Sequence, residues 1–511
     1  MDEVTELETS GRQTPTLDFY GGSLMSGFPL FFFVLWAILQ SAFFGIGNPN
    51  GLVVGILLGL IFGMFFARGD WKHYANAIFD GMTQPVAATA IVAWLWAGMF
   101  AETLQAGQFV KGLVWLAHTL QFGPELFPAV TFILAALLAT GIGTGYGTTI
   151  AFCTLFFPAG VALGTNPVLL FGAILAGAVF GDNLAPVSDT TIVSAVTQNS
   201  DIGGVVANRF KYALIAALAS LVLYGVAGFT MAEAEIPTGA ENLLTQTKNP
   251  GGLIHLVSML IVIVAAIRGR HIIEAITWGL AAAVLFNLLF GLCQVADILL
   301  FKIPETASVA KDLAFLPFVQ VVPVGSEGVS GSLYSGAIGF FPLIVLVLLI
   351  VAAAQIMIKG GGFQALEDVL LQRIIKTVRG AETTMVLGTA IVNAMITINT
   401  AAEIAIAPYI SRIGRRFNIN GYRRANILDA NTSALGYIFP WSGGVLVGYT
   451  AISGLVDEYT WFTEANIVSP ASVWPYVFHG WLLVVVFLLA AWTGFGREYE
   501  TDRTSEEVSR V

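Results

Sequence analysis

The chain has 511 residues, 56% hydrophobic and only 11% charged, with a net charge of −10 and a mean hydropathy of +0.79. Soluble domains carry about 25% charged residues, so a soluble multidomain enzyme is excluded and a polytopic membrane protein is implied. The acid excess, without a large basic domain, also argues against nucleic-acid binding.

Residues 1–26 are polar and acidic (Asp2, Glu3, Glu6, Glu8) and have no basic n-region, so they read as an acidic cytoplasmic tail and not as a cleavable signal. Apolar runs predict spans over 27–46, 51–67, 84–103, 167–197, 211–231, 251–267, 272–297, 335–358, 425–455 and 474–494, about ten crossings at roughly 20 residues each. Segment 104–125, with Lys111 and His118 among Leu, Val and Trp, reads as an interfacial helix on the outer side. Two further apolar stretches, 126–163 and 382–411, are interrupted by Gly, Thr and Asn. The end, 495–511, is again polar and reads as a solvated cytoplasmic tail. Cys153 and Cys293 stand alone in apolar runs, as core residues do.

Basic residues gather at Arg68/Lys72, Arg209/Lys211, Arg268/Arg270, Lys359–Arg379 and Arg412–Arg424, which the positive-inside rule makes cytoplasmic. The acid-rich loops 232–250 and 457–465 are then external. Parity holds only if 126–163 enters and leaves on the outer side and 382–411 on the cytoplasmic side. The fold class expected is therefore an all-α polytopic membrane protein of about ten spans plus two re-entrant hairpins in an inverted-topology repeat. The first repeat is 27–231 and the second 251–494, joined by an external linker at 232–250. Irregular backbone at membrane depth survives only where protein buries it or water lines it. The tip sequences Thr140–Thr149, with Gly143, Thr144 and Thr148, and Thr397–Glu403, with Asn399, are therefore expected to face the substrate.

The densest polar cluster is Gly181-Asp182-Asn183-Leu184-Ala185-Pro186-Val187-Ser188-Asp189-Thr190-Thr191, inside span 167–197. Pro186 removes a donor and opens the helix, and a carboxylate at that depth requires a cation, a proton or a partner. Span 425–455 carries a counterpart in Asp429, Asn431, Thr432 and Ser433, then Pro440-Trp441-Ser442. For Asp429, an ion pair with nearby Arg424 is the competing reading. No Lys or Arg falls between Lys111 and Arg209, Arg379 and Arg412, or Arg424 and Arg497. The expected site therefore holds Asp182, Asp189, Glu403 and Asp429 with no fixed cation, and hard oxygen ligands of that kind suit an alkali cation or a proton.

The 181–191 string resembles the signature of NhaC-type Na+/H+ antiporters of the ion transporter superfamily, usually G-D-x-x-S-P-x-S-D-T-T, with Ala185 where Ser is usual. Gly143–Thr148, and Leu428–Ser433 with Pro440-Trp441, are similar to further segments of that family. The resemblance implies a secondary transporter of the cell membrane exchanging Na+ for H+, without an enzymatic activity or a cofactor. Asp182 and Asp189 would hold Na+, with Asn183, Ser188, Thr190 and carbonyls near Gly143 and Ser442 completing the oxygen shell. The family includes exchangers of small carboxylates against Na+, so coupled transport of an organic anion such as malate or lactate is the alternative. Both termini would be cytoplasmic, and a homodimer is compatible with this reading. Gly328-Val329-Ser330-Gly331 matches the G-x-S-G of intramembrane proteases, which would need a distant partner such as His479.

Overall fold

The structure is a computed structural model and describes residues 16–44, 46, 49–119, 123–185, 188–231, 235–240, 250–268, 270–366 and 375–500. It is mostly helical. Six described helical segments are long and apolar enough to cross a membrane: Ser23–Gln40, Gly145–Ala162, Pro167–Leu184, Ile202–Thr230, Ser332–Lys359 and Glu464–Thr493. Shorter apolar helices accompany them.

The first half opens with α1 (Phe28–Ala37), α2 (Pro49–Met64), α3 (Trp71–Met82), α4 (Pro85–Ala106) and α5 (Phe109–Thr119). It continues with α6 (Phe127–Ile142), α7 (Gly145–Ala162), α8 (Pro167–Leu184), α9 (Asp189–Thr197) and α10 (Ile202–Thr230). The second comprises α11 (His255–Ile267), α12 (Ile272–Leu289), α13 (Ser332–Ile338), α14 (Phe341–Lys359), α15 (Val378–Ile396), α16 (Asn399–Arg416), α17 (Gly421–Leu435), α18 (Gly443–Glu458) and α19 (Phe478–Thr493).

Local chemistry sets the helix starts. Asn166 accepts from the amides of Val168 and Leu169, with Pro167 behind it at the first helical position. Asp201 caps α10 through Gly204 N, Thr377 caps α15 through Gly380 N, and Asn420 caps α17 through Tyr422 N.

Each interrupted segment folds back on itself. Gly160, near the end of α7, lies against Phe127 at the start of α6, so the pair is antiparallel. Gly388 of α15 faces Ile406 and Tyr409 of α16 in the same way. The turns pass through left-handed residues, Gly143 at φ 70° and Thr397 at φ 63°. The next helix in each half then runs parallel to the first arm of its hairpin. Gly177 and Gly181 of α8 press on the α6 backbone at Phe132–Ala136 and Ala136–Thr140, where a Cβ would not fit. In the second half, Glu382 at the start of α15 meets Arg423 at the start of α17, and Asn393 Nδ2 donates to Thr432 O at 2.9 Å.

Several expectations need correction. The 27–46 span is α1 followed by a π-helical turn at Ile38–Phe43, and the 104–125 segment divides between the end of α4 and α5. The 272–297 span ends as a helix at Leu289, and the 335–358 span divides into α13 and α14. Between α12 and α13 lies a small sheet that hydropathy did not predict. There β1 (Leu300–Pro304) pairs in parallel with β2 (Val319–Val322) and antiparallel with β3 (Gly328–Ser330). Ser330 sits in that sheet opposite Leu300, while His479 packs on Phe132 and Phe180. The tails are not wholly solvated. Phe19 bridges Ala67 and Thr16 N donates to Lys359 O. At the other end Ile419 bridges Tyr499, Asn420 N donates to Glu498 O, and Arg497 binds Glu382. Residues 1–15 and 501–511, and most of the acidic 232–250 linker, lie outside the described residues.

Candidate functional site

The hairpin turns and helix breaks converge. In the first half, α8 stops at Leu184 because Ala185 adopts an extended conformation (ψ 118°), as a residue before proline does. In the second, α17 gives way after Leu435 to a run of turns, and α18 starts at Gly443, whose amide donates to Thr397 O at 3.1 Å. The Tyr146 and Tyr437 rings, one from each half, lie 5.5 Å apart, with Trp94 on Tyr146 at 5.7 Å. A Cβ at Gly145 would collide with the Tyr437 hydroxyl and come within 3.1 Å of Asp182 Oδ2. The first tip therefore needs glycine to approach the carboxylate.

Asp182 is buried near the end of α8 and accepts from Ser188 Oγ at 2.8 Å, across the helix break. Ser188 Oγ lies 3.0 Å from Thr190 Oγ1, which Ser433 Oγ of α17 approaches at 3.5 Å. Ser433 donates to Asp429 Oδ1 at 2.8 Å, and Ser194 to Oδ2 at 3.4 Å. A continuous polar path thus joins the carboxylates of α8 and α17. Glu403 of α16, fully buried, accepts from Thr432 Oγ1 of α17 at 2.7 Å.

The expectation that no fixed cation enters the site is corrected. Arg209 is fully buried and pairs with Asp429 Oδ2. It also donates from Nη1 to Asn183 O at 2.6 Å and to Thr191 Oγ1 at 3.4 Å, and from Nε to Asn426 Oδ1 at 2.9 Å. Hydropathy placed Arg209 in a loop before a span at 211; α10 in fact begins at Ile202, which carries Arg209 about two turns inward. The competing reading for Asp429 changes its partner too, since Arg424 binds Glu500 instead.

Asn183 and Asn431 are matched. Each is fully buried, and each donates Nδ2 to the carbonyl four residues earlier, Val179 at 3.0 Å and Ile427 at 2.7 Å. Their Oδ1 atoms find no hydrogen-bond donor among the described residues, and neither does Oδ1 of buried Asn399, which lies against Gly436 at the second tip. Buried acceptors normally have partners. Asn183 follows Asp182 in the chain, Asn399 precedes Glu403 by one turn and Asn431 precedes Thr432, the donor to Glu403, and buried oxygens with no donor are the kind of ligand a cation takes.

Other expected ligands take structural parts. Gly143 closes α6 in the left-handed conformation, Thr144 caps α7, and Thr148 and Ser442 bond main-chain carbonyls of their own segments. Asp189 opens α9; its side chain, with Pro186 and Val187, lies outside the described residues.

A family model described as the Na+/H+ antiporter family matches residues 8–229 and 237–481. The chain is 24% identical over 447 residues to the arginine/ornithine antiporter ArcD of Halobacterium salinarum, covering 83% of this chain and 86% of that protein. It is 24% identical over 456 residues to the malate-2H(+)/Na(+)-lactate antiporter of Bacillus subtilis, covering 81% and 90%. Identity is 28% over 148 residues with the Na(+)/H(+) antiporter NhaC of Alkalihalophilus pseudofirmus, covering 27% of this chain and 29% of that one.

Proposed function

The chain belongs to the Na+/H+ antiporter family, and on that premise we propose that it exchanges Na+ for protons across the cell membrane, with Asp182 as the ligand both ions share. The observation that carries this reading is the surplus of buried acceptors at the convergence of the helix breaks. Asp182 and Glu403 stand with the donorless amide oxygens of Asn183, Asn399 and Asn431. The one buried guanidinium described there is committed to Asp429. Na+ takes such oxygens directly, and a proton neutralises the same carboxylate when Na+ leaves. Ser188 holds Asp182 across the break and Thr190 extends the shell; Asp189 is the second carboxylate that this reading assigns to Na+. Alternating access follows from an inverted repeat. In support, α7 packs against α18 and α16 against α9, so the second arm of each hairpin rests on the short helix after the opposite half's break. By the positive-inside rule this reading assigns the basic 412–424 segment, and with it both termini, to the cytoplasm.

The test is purified protein in vesicles enclosing a pH dye. A Na+ gradient alone, with no organic anion present, should drive proton movement opposite to the sodium flux, so that Na+ entry alkalinises the lumen. A response that appears only with malate, lactate or arginine overturns the reading.

A second reading, Na+-coupled exchange of a small organic anion, has one observation in its favour. Arg209 Nη2 finds no acceptor among the described residues, and a spare buried guanidinium donor suits a carboxylate. Two relatives matched over most of the chain are named for exchange of carboxylates or amino acids.

A further inference from the structure

Arg209 carries a consequence beyond ion exchange at Asp182. Its partners are a carboxylate oxygen (Asp429), a main-chain carbonyl (Asn183), a hydroxyl (Thr191) and an amide oxygen (Asn426). These are the ligand types that proteins offer to hard cations. The Asn183 carbonyl belongs to the last turn of α8, where carbonyls have no amide four residues ahead and the helix dipole is negative. Asp429 is meanwhile held by Ser433 and Ser194. The shell spans both halves: Asn183 and Thr191 flank the first break, while Asp429 and Asn426 belong to α17. Arg209 itself is anchored in α10 and fully buried. A guanidinium keeps its charge at any physiological pH, and a side chain cannot leave with the substrate.

We propose that Arg209 is a tethered counter-ion occupying a built cation position at Asp429, so that Asp429 does not exchange and the protein carries one alkali-ion position fewer than its buried carboxylates would provide. Asp429 is then a fixed joint between the halves, and the mobile ion is confined to the Asp182 side of the Ser188–Thr190–Ser433 path. This rests on the reading of Asp182 as the exchange site.

The experiment compares full-length wild type, Arg209→Lys, Arg209→Gln and the double variant Arg209→Gln/Asp429→Asn. Thermal unfolding is followed in detergent as Na+ rises from none to about 0.5 M, with choline keeping ionic strength constant. In the Gln variant, Asp429 has lost its cation and should recruit Na+. Its midpoint should rise about 4 °C more than that of wild type over the series, since a ligand that binds only the folded state stabilises it by mass action. The Lys variant and the double variant should respond as wild type does. An equal Na+ response in wild type and the Gln variant overturns the proposal. So does a double variant that keeps the extra response, which would place the recruited ion elsewhere. Should the Gln variant fail to fold without salt, recovery in Na+ but not choline, together with a stable double variant, is the expected result; a double variant that is equally unfolded makes Arg209 a packing residue and overturns the proposal. The reading of Asp182 fails separately, if wild type shows no Na+-driven proton movement in vesicles.

Discussion

On the proposed reading, Asp182 is the residue at which Na+ and the proton compete. Asparagine there keeps the size and still accepts from Ser188, so folding should change by only about 1 kcal/mol, while the titratable charge is lost. Sodium-driven proton movement in Asp182→Asn vesicles should fall to the level of empty vesicles, and thermal unfolding of the purified variant should stay near wild type. The structure joins Asp182, Ser188 and Thr190, which the sequence singled out, in one hydrogen-bonded path. Asp182, Asn183, Ser188 and Thr190 were legible because polar atoms packed into ten positions of an apolar run have no cheap structural explanation. Arg209 was invisible, since helix ends were read from apolarity and a guanidinium inside a helix counts against it. The left-handed turn at Thr397 was equally hidden, for nothing in Ile-Thr-Ile-Asn-Thr announces a positive φ. A β-branched residue in that conformation costs about 1–2 kcal/mol. Thr397→Gly should therefore raise the unfolding midpoint by a few degrees, and an unchanged or lowered midpoint would mean that the threonine side chain compensates for its backbone.

Among the elements, Gly, Pro and Asn marked in the sequence the points where α6 folds back on α7, α15 on α16, and where α8 ends. The three-stranded sheet at 300–330 and the docked tail at 495–500 had no such mark, since short polar-flanked strands carry little periodicity and a tail's partners lie far away in sequence. That tail ties helix ends together. Glu382 of α15 is fully buried between Arg423 of α17 and Arg497 of the tail, at 2.9 and 2.8 Å, and the Tyr212 hydroxyl of α10 accepts from Arg423 at 2.7 Å. Removing one partner from a buried pair leaves the other charge uncompensated, a loss of about 3–5 kcal/mol. Glu382→Ala should therefore unfold well below wild type, and Arg497→Ala should be less affected because Arg423 and Glu382 remain paired. Nearby, outside the membrane-spanning segments, the Tyr422 hydroxyl and then the Gly204 amide hold the Asp201 carboxyl below its usual range. A depressed carboxylate stabilises the fold above its ordinary value, near pH 4, and loses that contribution as pH falls through the lowered one. Tyr422→Phe should remove a small part of stability at neutral pH, and its difference from wild type should vanish only in strong acid; a difference constant down to pH 2 would detach it from Asp201.

On the scale of the whole molecule, the two faces differ in charge and in what they gather. One collects the start of α10, the Arg415–Arg424 segment and the C-terminal described end; the other collects Glu125, Thr165 and Gly228, with Thr165 Oγ1 donating to Pro124 O at 3.2 Å. The open end of the α6–α7 hairpin lies with Glu125 and Thr165 and that of the α15–α16 hairpin with the arginine segment, while Tyr146 of the first tip and Thr397 of the second both lie against Gly443. The positive-inside rule assigns the arginine-rich face to the cytoplasm, and that assignment can be tested without any transport assay. Glu464 and Arg416 are both exposed. Cysteine introduced at either, with the partly exposed Cys293 replaced by serine, should fold normally, and the remaining native Cys153 is buried. In intact cells a membrane-impermeant maleimide should label Glu464→Cys and leave Arg416→Cys untouched until the membrane is opened. Labelling of Arg416→Cys from outside would reverse the molecule. Labelling of both from outside would place 464 and 416 on one side, which opposed hairpin entry forbids, and the inverted repeat would fall with it.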